Sequence, residues 1–247
     1  LQVKDLTAKD AKKSAKSGEM GENGGQKKTH HSPLQSQTCD LRPKVSIVIP
    51  AFNGLEDTRR CLPALAQNSQ DVAYEVIAVD NASSDGTAEF LKGEAERWGG
   101  RLRAIRHEKN LGFAKGCNAG ARASAGEYVV FLNNDTAPQA GWLREMLHVM
   151  ASYNQVGVVG SKLLYPDTKR VQHAGVELIN GVPDHPFRGA AADDPRVCRT
   201  RELDMVTGAC LMIRKDMFAR LGGCAEQCVN GVEAVDLCLR VRDAGYR

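Results

Sequence analysis

The sequence predicts an α/β protein: a Rossmann-like, three-layer α/β/α sandwich around a mostly parallel sheet with a mixed edge. Three observations carry that prediction. Short apolar runs such as VSIVIP, EVIAVD and EYVVFLNND end in polar residues. Stretches with helical spacing of apolar residues separate them, which implies right-handed crossovers between parallel strands. Beyond about residue 155 the strand-like runs follow one another without full helices between them, as an antiparallel edge would require.

Each element has a local reason. VSIVIP begins at Val45 as a continuous β-branched run of the kind that is buried on both faces. GLEDTRRCLPALAQN follows with Leu55, Leu62 and Leu65 in helical register, and Pro63 marks a kink or boundary. EVIAVD (75–80) is the second strand, and TAEFLKGEAERW is a helix capped by Ser83, Ser84 or Asp85. RLRAIRH (101–107) is the third strand, GFAKGCNAGARASA a helix, EYVVFLNND (127–135) the fourth strand and GWLREMLHVMASY a helix. In the second half, 156–165, 171–178 and 204–214 read as strands, 179–203 as a loop, and VEAVDLCLRVRDAG as the last helix. Residues 1–43 are too polar to offset the entropy of ordering and read as a tail, with His30 and His31 as solvated side chains. The domain is expected over 44–247.

Bulk composition narrows the partners. A chain of 247 residues with 42% hydrophobic content can bury one sizeable core. The formal charge of +3, from 33 basic and 30 acidic residues, gives no field suited to nucleic acid. The eight cysteines show no C-x-x-C pair, so a reducing, cytoplasmic setting is expected, with any membrane association peripheral at the inner face. Cys224 and Cys228 read as small buried hydrophobes rather than half of a metal site. No run approaches the ~18 apolar residues of a membrane span, so no transmembrane segment is expected.

In an open α/β sheet, ligands bind beyond the carboxyl ends of the strands. Three of those ends are polar here: Pro50-Ala51-Phe52-Asn53, Asp80-Asn81, and Asn133-Asn134-Asp135. No G-x-G-x-x-G turn and no P-loop follows the first strand. A phosphate-bearing ligand would therefore rely on a cation, and a carboxylate at the end of the fourth strand can hold Mg²⁺ or Mn²⁺ together with phosphate oxygens. Gly112, Gly116 and Gly120, four apart, permit close helix–sheet packing. Taken alone, Asp80 could equally be a turn residue, Lys115 an exposed helix lysine, Asn118 a local hydrogen-bond partner and His173 a core or edge histidine.

Five segments in order, VSIVIPAFN, EVIAVDNASSDGT, NLGFAKGCNAG, GEYVVFLNNDT and VTGACLMIR, resemble the successive motifs of family 2 glycosyltransferases. With QHAG downstream, the wording is most similar to the rhamnosyltransferase-like branch. The resemblance covers most of 45–247 and implies a GT-A fold, a nucleotide-diphosphate sugar donor, and a glycan or lipid-linked acceptor. It implies that Pro50, Ala51, Asn53, Asp80, Asn81, Lys115, Asn118 and Asn134 line the donor pocket. Asp80 would accept a hydrogen bond from the base. Asp135 would hold the metal, largely alone, because Asn133 stands where the family often has an acid. A donor such as dTDP-rhamnose is the guess that this branch suggests.

The same resemblance implies single displacement with inversion, in which a carboxylate accepts the proton of the attacking hydroxyl. That base belongs near the start of the last helix, where this chain reads Asn230-Gly231-Val232-Glu233-Ala234-Val235-Asp236. Ala234 stands where the family usually places the aspartate. Three outcomes stay open: Glu233 is the base; Asp236 is, although Arg240 four residues on offers it an ordinary ion pair; or the domain binds donor without turnover. Glu233 is favoured. A sugar-phosphate nucleotidyltransferase is the weaker alternative, since AFNGLED lacks the Gly-rich loop such enzymes carry after the first strand.

Overall fold

The computed structural model describes residues 44–180, 182–228 and 232–247. The expected tail, with His30, His31 and Cys39, and the motif residues Asn230 and Gly231 lie outside the described residues. The chain alternates β1 (Val45–Ala51), α1 (Leu55–Asn68), β2 (Tyr74–Asp80), α2 (Thr87–Arg97), β3 (Leu102–Arg106), α3 (Phe113–Ala123), β4 (Tyr128–Leu132) and α4 (Trp142–Ser152). Short strands follow: β5 (Val158–Gly160), β6 (Leu163–Leu164), β7 (Val171–His173), β8 (Glu177–Ile179) and β9 (Val182–Asp184). The series ends with β10 (Cys210–Arg214), α5 (Lys215–Arg220) and α6 (Val232–Asp243).

Six strands form one sheet in the order β3-β2-β1-β4-β10-β5. The first four run parallel, while β10 is antiparallel to both β4 and β5, which makes the mixed edge. Strand residues alternate between two cores. Val45, Ile47, Ile49, Val76, Ala78, Val130 and Leu132 meet Leu62 and Leu65 of α1, Leu91 of α2 and Trp142 and Met146 of α4. Val48, Ile77, Val79, Val129 and Phe131 meet Ala114, Cys117 and Ala121 of α3 together with Leu237 and Val241 of α6. Burial on both faces is why these strands read as unbroken apolar runs.

Two small residues let α3 approach the sheet. A Cβ on Gly120 would lie 2.2 Å from Val48 Cγ1, and one on Gly116 would lie 3.0 Å from Asn81 Nδ2 and 3.3 Å from Pro50. Gly112, by contrast, precedes α3 with φ +85 and has open space around it.

Several expectations are revised. Pro63 does not end α1, which runs from Leu55 to Asn68 with the proline inside it. The ring is exposed, so the carbonyl it deprives of a donor can face solvent. The run 156–165 is two strands, β5 and β6, in different sheets, and 171–178 divides into β7 and β8 around Gly175 with its φ of +117. The loop 179–203 contributes β9, which pairs with β8. Helix α5 has only six residues, too few for a periodic signal. Asp85 caps more than one helix: its carboxylate accepts from the amides of Thr87 at α2 and Leu55 at α1. No described helix is long and apolar enough to cross a membrane.

Candidate active site

The carboxyl ends of β2, β1 and β4 lie side by side, and backbone strain marks the place where their loops interlock. Asn53, just past β1, has φ 58, a left-handed conformation that Asn tolerates better than most residues. Its amide donates to Ser83 Oγ at 2.8 Å, its side-chain oxygen accepts from Ser84 N at 3.0 Å, and its carbonyl accepts from Asn134 Nδ2 at 3.3 Å. The Asn134 amide also donates to Thr58 Oγ1 at 3.0 Å. Asn53 and Asn134 thus tie three strand ends together through the Asn53 side-chain oxygen and the Asn134 side-chain nitrogen.

Asp80 ends β2 almost wholly buried, at 2% exposure. Its Oδ1 accepts from the Ser83 amide at 3.0 Å, whereas Oδ2 has no hydrogen-bond partner. Arg106, at the end of β3, holds its Nε 3.4 Å from that oxygen, an ionic contact outside hydrogen-bond geometry, and donates to Ser83 O at 3.2 Å. A ligand N–H is what Oδ2 lacks. Asn81 donates to Gly112 O at 3.3 Å and meets His107 Nδ1 at 2.9 Å, so it joins β2 to the entry of α3. Pro50 and Ala51 are buried strand residues at the same level.

Asp135 is exposed, and no described side chain forms a hydrogen bond or ion pair with it. Asn133, two residues earlier, carries a buried Oδ1 without a partner, while its backbone amide donates to Ala209 O at 3.0 Å. One free carboxylate and one orphaned amide oxygen suit a hard cation that shares its remaining positions with a diphosphate. Among the described residues no group of three or more His, Cys, Asp or Glu side chains could hold a metal by itself.

Asn133 also belongs to the wall of a cavity of about 470 Å³, lined by Leu111 to Ala114, Thr207 to Ala209, Glu226, Cys228, Glu233 and Ala234. Glu233 enters from the first turn of α6; it is 3% exposed, and its Oε2 has no partner. Asp236 is not in that lining. Its carboxylate accepts from Arg240 Nε at 2.9 Å and Nη2 at 2.5 Å, and Arg240 also donates to Leu221 O and Gly223 O. Through Arg240 this ion pair ties α6 to the turn at Leu221 to Gly223 that follows α5.

Asn118 bonds far along the chain rather than locally. Its side chain, 6% exposed, accepts from Cys224 N at 2.8 Å and donates to Cys224 O at 2.9 Å and Glu226 Oε1 at 3.2 Å. Lys115 Nζ stands 3.9 Å from Glu226 Oε2 at the cavity rim. His173 is 3% exposed on β7, and its Nε2 accepts from the amides of Gly175 at 3.2 Å and Thr207 at 3.3 Å. Those two donors place its proton on Nδ1, which faces His185 Nδ1 at 3.0 Å. Burial first, then His185 and Arg188, hold the His173 pKa down at about 3. Arg106, His185, Thr207 and Glu226 are absent from the sequence-derived site. Thr207 lies within the VTGACLMIR segment, whereas Arg106, His185 and Glu226 are single polar residues that no motif singled out.

Comparison with known proteins agrees with this architecture. The chain is 35% identical over 213 residues to an uncharacterized protein of Sinorhizobium fredii, which covers 83% of this chain and 23% of the relative. It is 32% identical over 214 residues to the O-antigen biosynthesis protein RfbC of Myxococcus xanthus, covering 83% of this chain and 16% of the relative. The chain therefore spans less than a quarter of the length of these two relatives. Among solved structures, a mannosyltransferase from Pyrobaculum calidifontis in complex with GDP-Man and Mn²⁺ superposes with TM-score 0.63 at 21% identity, covering 83% of this chain and 54% of that one. S. aureus TarS 1-349 gives TM-score 0.58 at 18% identity, covering 80% and 55%. The six-stranded mixed sheet with its flanking helices is thus the GT-A fold. Residues 46–222, well over half of the chain, match the model named Glycosyl transferase family 2, and the chain belongs to that family.

Proposed function

We propose that this domain is a metal-dependent, inverting glycosyltransferase in which Glu233 is the catalytic base. The supporting observation is Glu233, a residue of the cavity lining whose buried Oε2 has no hydrogen-bond partner among the described residues. A buried acceptor left unsatisfied is costly, and an incoming hydroxyl supplies the missing donor.

In this reading the nucleotide lies over the ends of β1 and β2, where Asp80 Oδ2 accepts from the base. Asp135 and the Asn133 amide oxygen hold Mg²⁺ or Mn²⁺. When bound, the ion supplies Lewis-acid stabilisation of the charge on the departing diphosphate. The acceptor hydroxyl forms a bond to the anomeric carbon as the bond from that carbon to the diphosphate oxygen breaks, and Glu233 takes the hydroxyl proton. Asn53 and Asn134 contribute by holding the three strand ends in register, and Asn118 by fixing the segment at Cys224 and Glu226.

A second reading rests on Ala234, which lies on the same cavity wall and brings no acid to it: donor binding without turnover. One pair of measurements separates the two. A thermal-shift screen of UDP, GDP and dTDP with and without Mn²⁺ tests binding. Release of nucleoside diphosphate from the matching sugar donor, dTDP-rhamnose first, tests turnover. An ion-dependent shift that Asp135→Asn abolishes, together with release that Glu233→Gln abolishes, supports the enzyme. A shift without release supports the binding module.

A further inference from the structure

We propose that the cavity beside Glu233 receives the uncharged, hydroxyl-bearing end of a carbohydrate acceptor, and that Glu226 is the side chain that recognises it. The inference rests on the reading of Glu233 as the proton acceptor and adds to it the chemical class of what Glu233 deprotonates: a sugar hydroxyl rather than a lipid phosphate.

The charges on the wall point that way. Among the described residues the lining contains two carboxylates, Glu226 and Glu233, and no lysine or arginine. Lys115 approaches only from the rim. The start of α3, at Gly112 to Ala114, contributes roughly half a positive charge, less than either carboxylate. With the ion proposed at Asp135 and Asn133 taken up by the donor diphosphate, a second phosphate entering here would meet two like charges and no lysine or arginine of the described lining.

Hydrogen-bond polarity points the same way. Glu233 Oε2 is a buried acceptor with no donor among the described residues. A sugar hydroxyl donates a hydrogen bond, whereas a phosphate dianion has none to give. Phe113 adds an apolar ring face that suits the C–H face of a pyranose.

Glu226 is held ready for such a ligand. Asn118 donates to its Oε1 and is itself clamped to both backbone groups of Cys224. Its Oε2 lies 3.9 Å from Lys115 Nζ, beyond hydrogen-bond reach, and accepts no hydrogen bond from another described residue. The side chain is 47% exposed, so it stands at the mouth while Glu233 stands at depth. One acceptor hydroxyl can then meet Glu233 while another hydroxyl of the same acceptor is read by Glu226.

The test uses the whole chain with Mn²⁺ and the donor that the screen identifies. The probes are methyl glycosides of glucose, galactose, mannose, rhamnose and N-acetylglucosamine, with farnesyl phosphate as the lipid-phosphate arm. Binding is followed by ligand-observed NMR and turnover by diphosphate release. At least one glycoside should bind and accelerate release, and farnesyl phosphate should do neither. Glu226→Gln should raise the glycoside KM and Kd about tenfold or more, as expected for loss of a charge-assisted hydrogen bond. Donor KM and kcat at saturating acceptor should stay within about threefold, and Glu226→Asp should recover part of the loss. Should Glu226→Gln not fold, Glu226→Asp against wild type carries the comparison. Turnover on farnesyl phosphate, no bound glycoside, or glycoside affinity indifferent to Glu226 overturns the proposal. Glycoside binding that depends on Glu226, with diphosphate release unaffected by Glu233→Gln, supports the acceptor site and refutes Glu233 as its base.

Discussion

Replacing Glu233 separates what its carboxylate does for chemistry from what it costs the fold. Glutamine keeps the length and shape of the side chain and removes the basic oxygen. Proton transfer by a positioned base is worth ~10²–10⁴-fold in rate, or about 2.7–5.4 kcal/mol of barrier. Glu233→Gln should therefore lower acceptor-dependent diphosphate release by at least a hundredfold with donor KM unchanged. Methionine tests the other half. The side chain is 3% exposed and its Oε2 has no partner, and an unsatisfied buried acceptor costs about 1–3 kcal/mol. A residue of similar volume without that oxygen should recover part of this, and for a domain of this size about 1 kcal/mol corresponds to roughly 2–4 °C in Tm. Glu233→Met should thus be inactive and melt higher than wild type. Thermal unfolding and a coupled assay of diphosphate release measure both. Full activity in Glu233→Gln would place the base elsewhere, and a lowered Tm in Glu233→Met would show that the carboxylate braces the fold instead of waiting for substrate.

Further consequences follow from other side chains. Asp80→Asn removes the free Oδ2 acceptor, so nucleoside diphosphate affinity should fall roughly 5- to 100-fold by calorimetry while Mn²⁺ dependence persists; unchanged affinity would remove the base from this pocket. His173 ties stability to pH. Its folded pKa of about 3 lies below the ordinary 6.5, so the unfolded chain binds the proton first and stability is lost as pH falls below that value. By pH 5 the loss from this residue is roughly 2 kcal/mol, and urea titrations should show a shallower acid limb in His173→Gln; identical limbs would contradict the assignment. Gly120→Ala places a Cβ 2.2 Å from Val48 Cγ1 and should destabilise by about 1–3 kcal/mol. Val48→Ala should relieve part of that strain in the double variant, measured as a coupling energy in urea unfolding. Simple additivity would mean that α3 does not press on β1 there.

The crossover half of the domain was legible because both faces of the sheet are covered. Ile47, Val76, Val130 and their neighbours had to be apolar on either side, which left unbroken runs with polar ends at Asn53, Asp80 and Asn133. The second half was harder to read, since its strands are two to five residues long and give little periodic signal. Pro63 misled for a related reason: proline is disfavoured inside a helix, yet its exposed position lets the unpaired carbonyl face solvent. At the site, the carboxylates at strand ends could be found by eye, whereas Asn118 acts on Cys224 and Glu226, 106 and 108 residues away.

By itself, then, the order of residues determined the layering, the parallel crossovers, the family and the polar strand ends, because those follow from local periodicity and short motifs. Which acids line the cavity was decided only in the folded chain, where α3 and α6 share one core on the same face of the sheet. Glu233 and Asp236 sit three residues apart on one helix, yet the first is left with a free oxygen in a cavity wall and the second is taken up by Arg240. Hydrogen-bond satisfaction depends on atoms brought together from distant parts of the chain, and no local pattern encodes it.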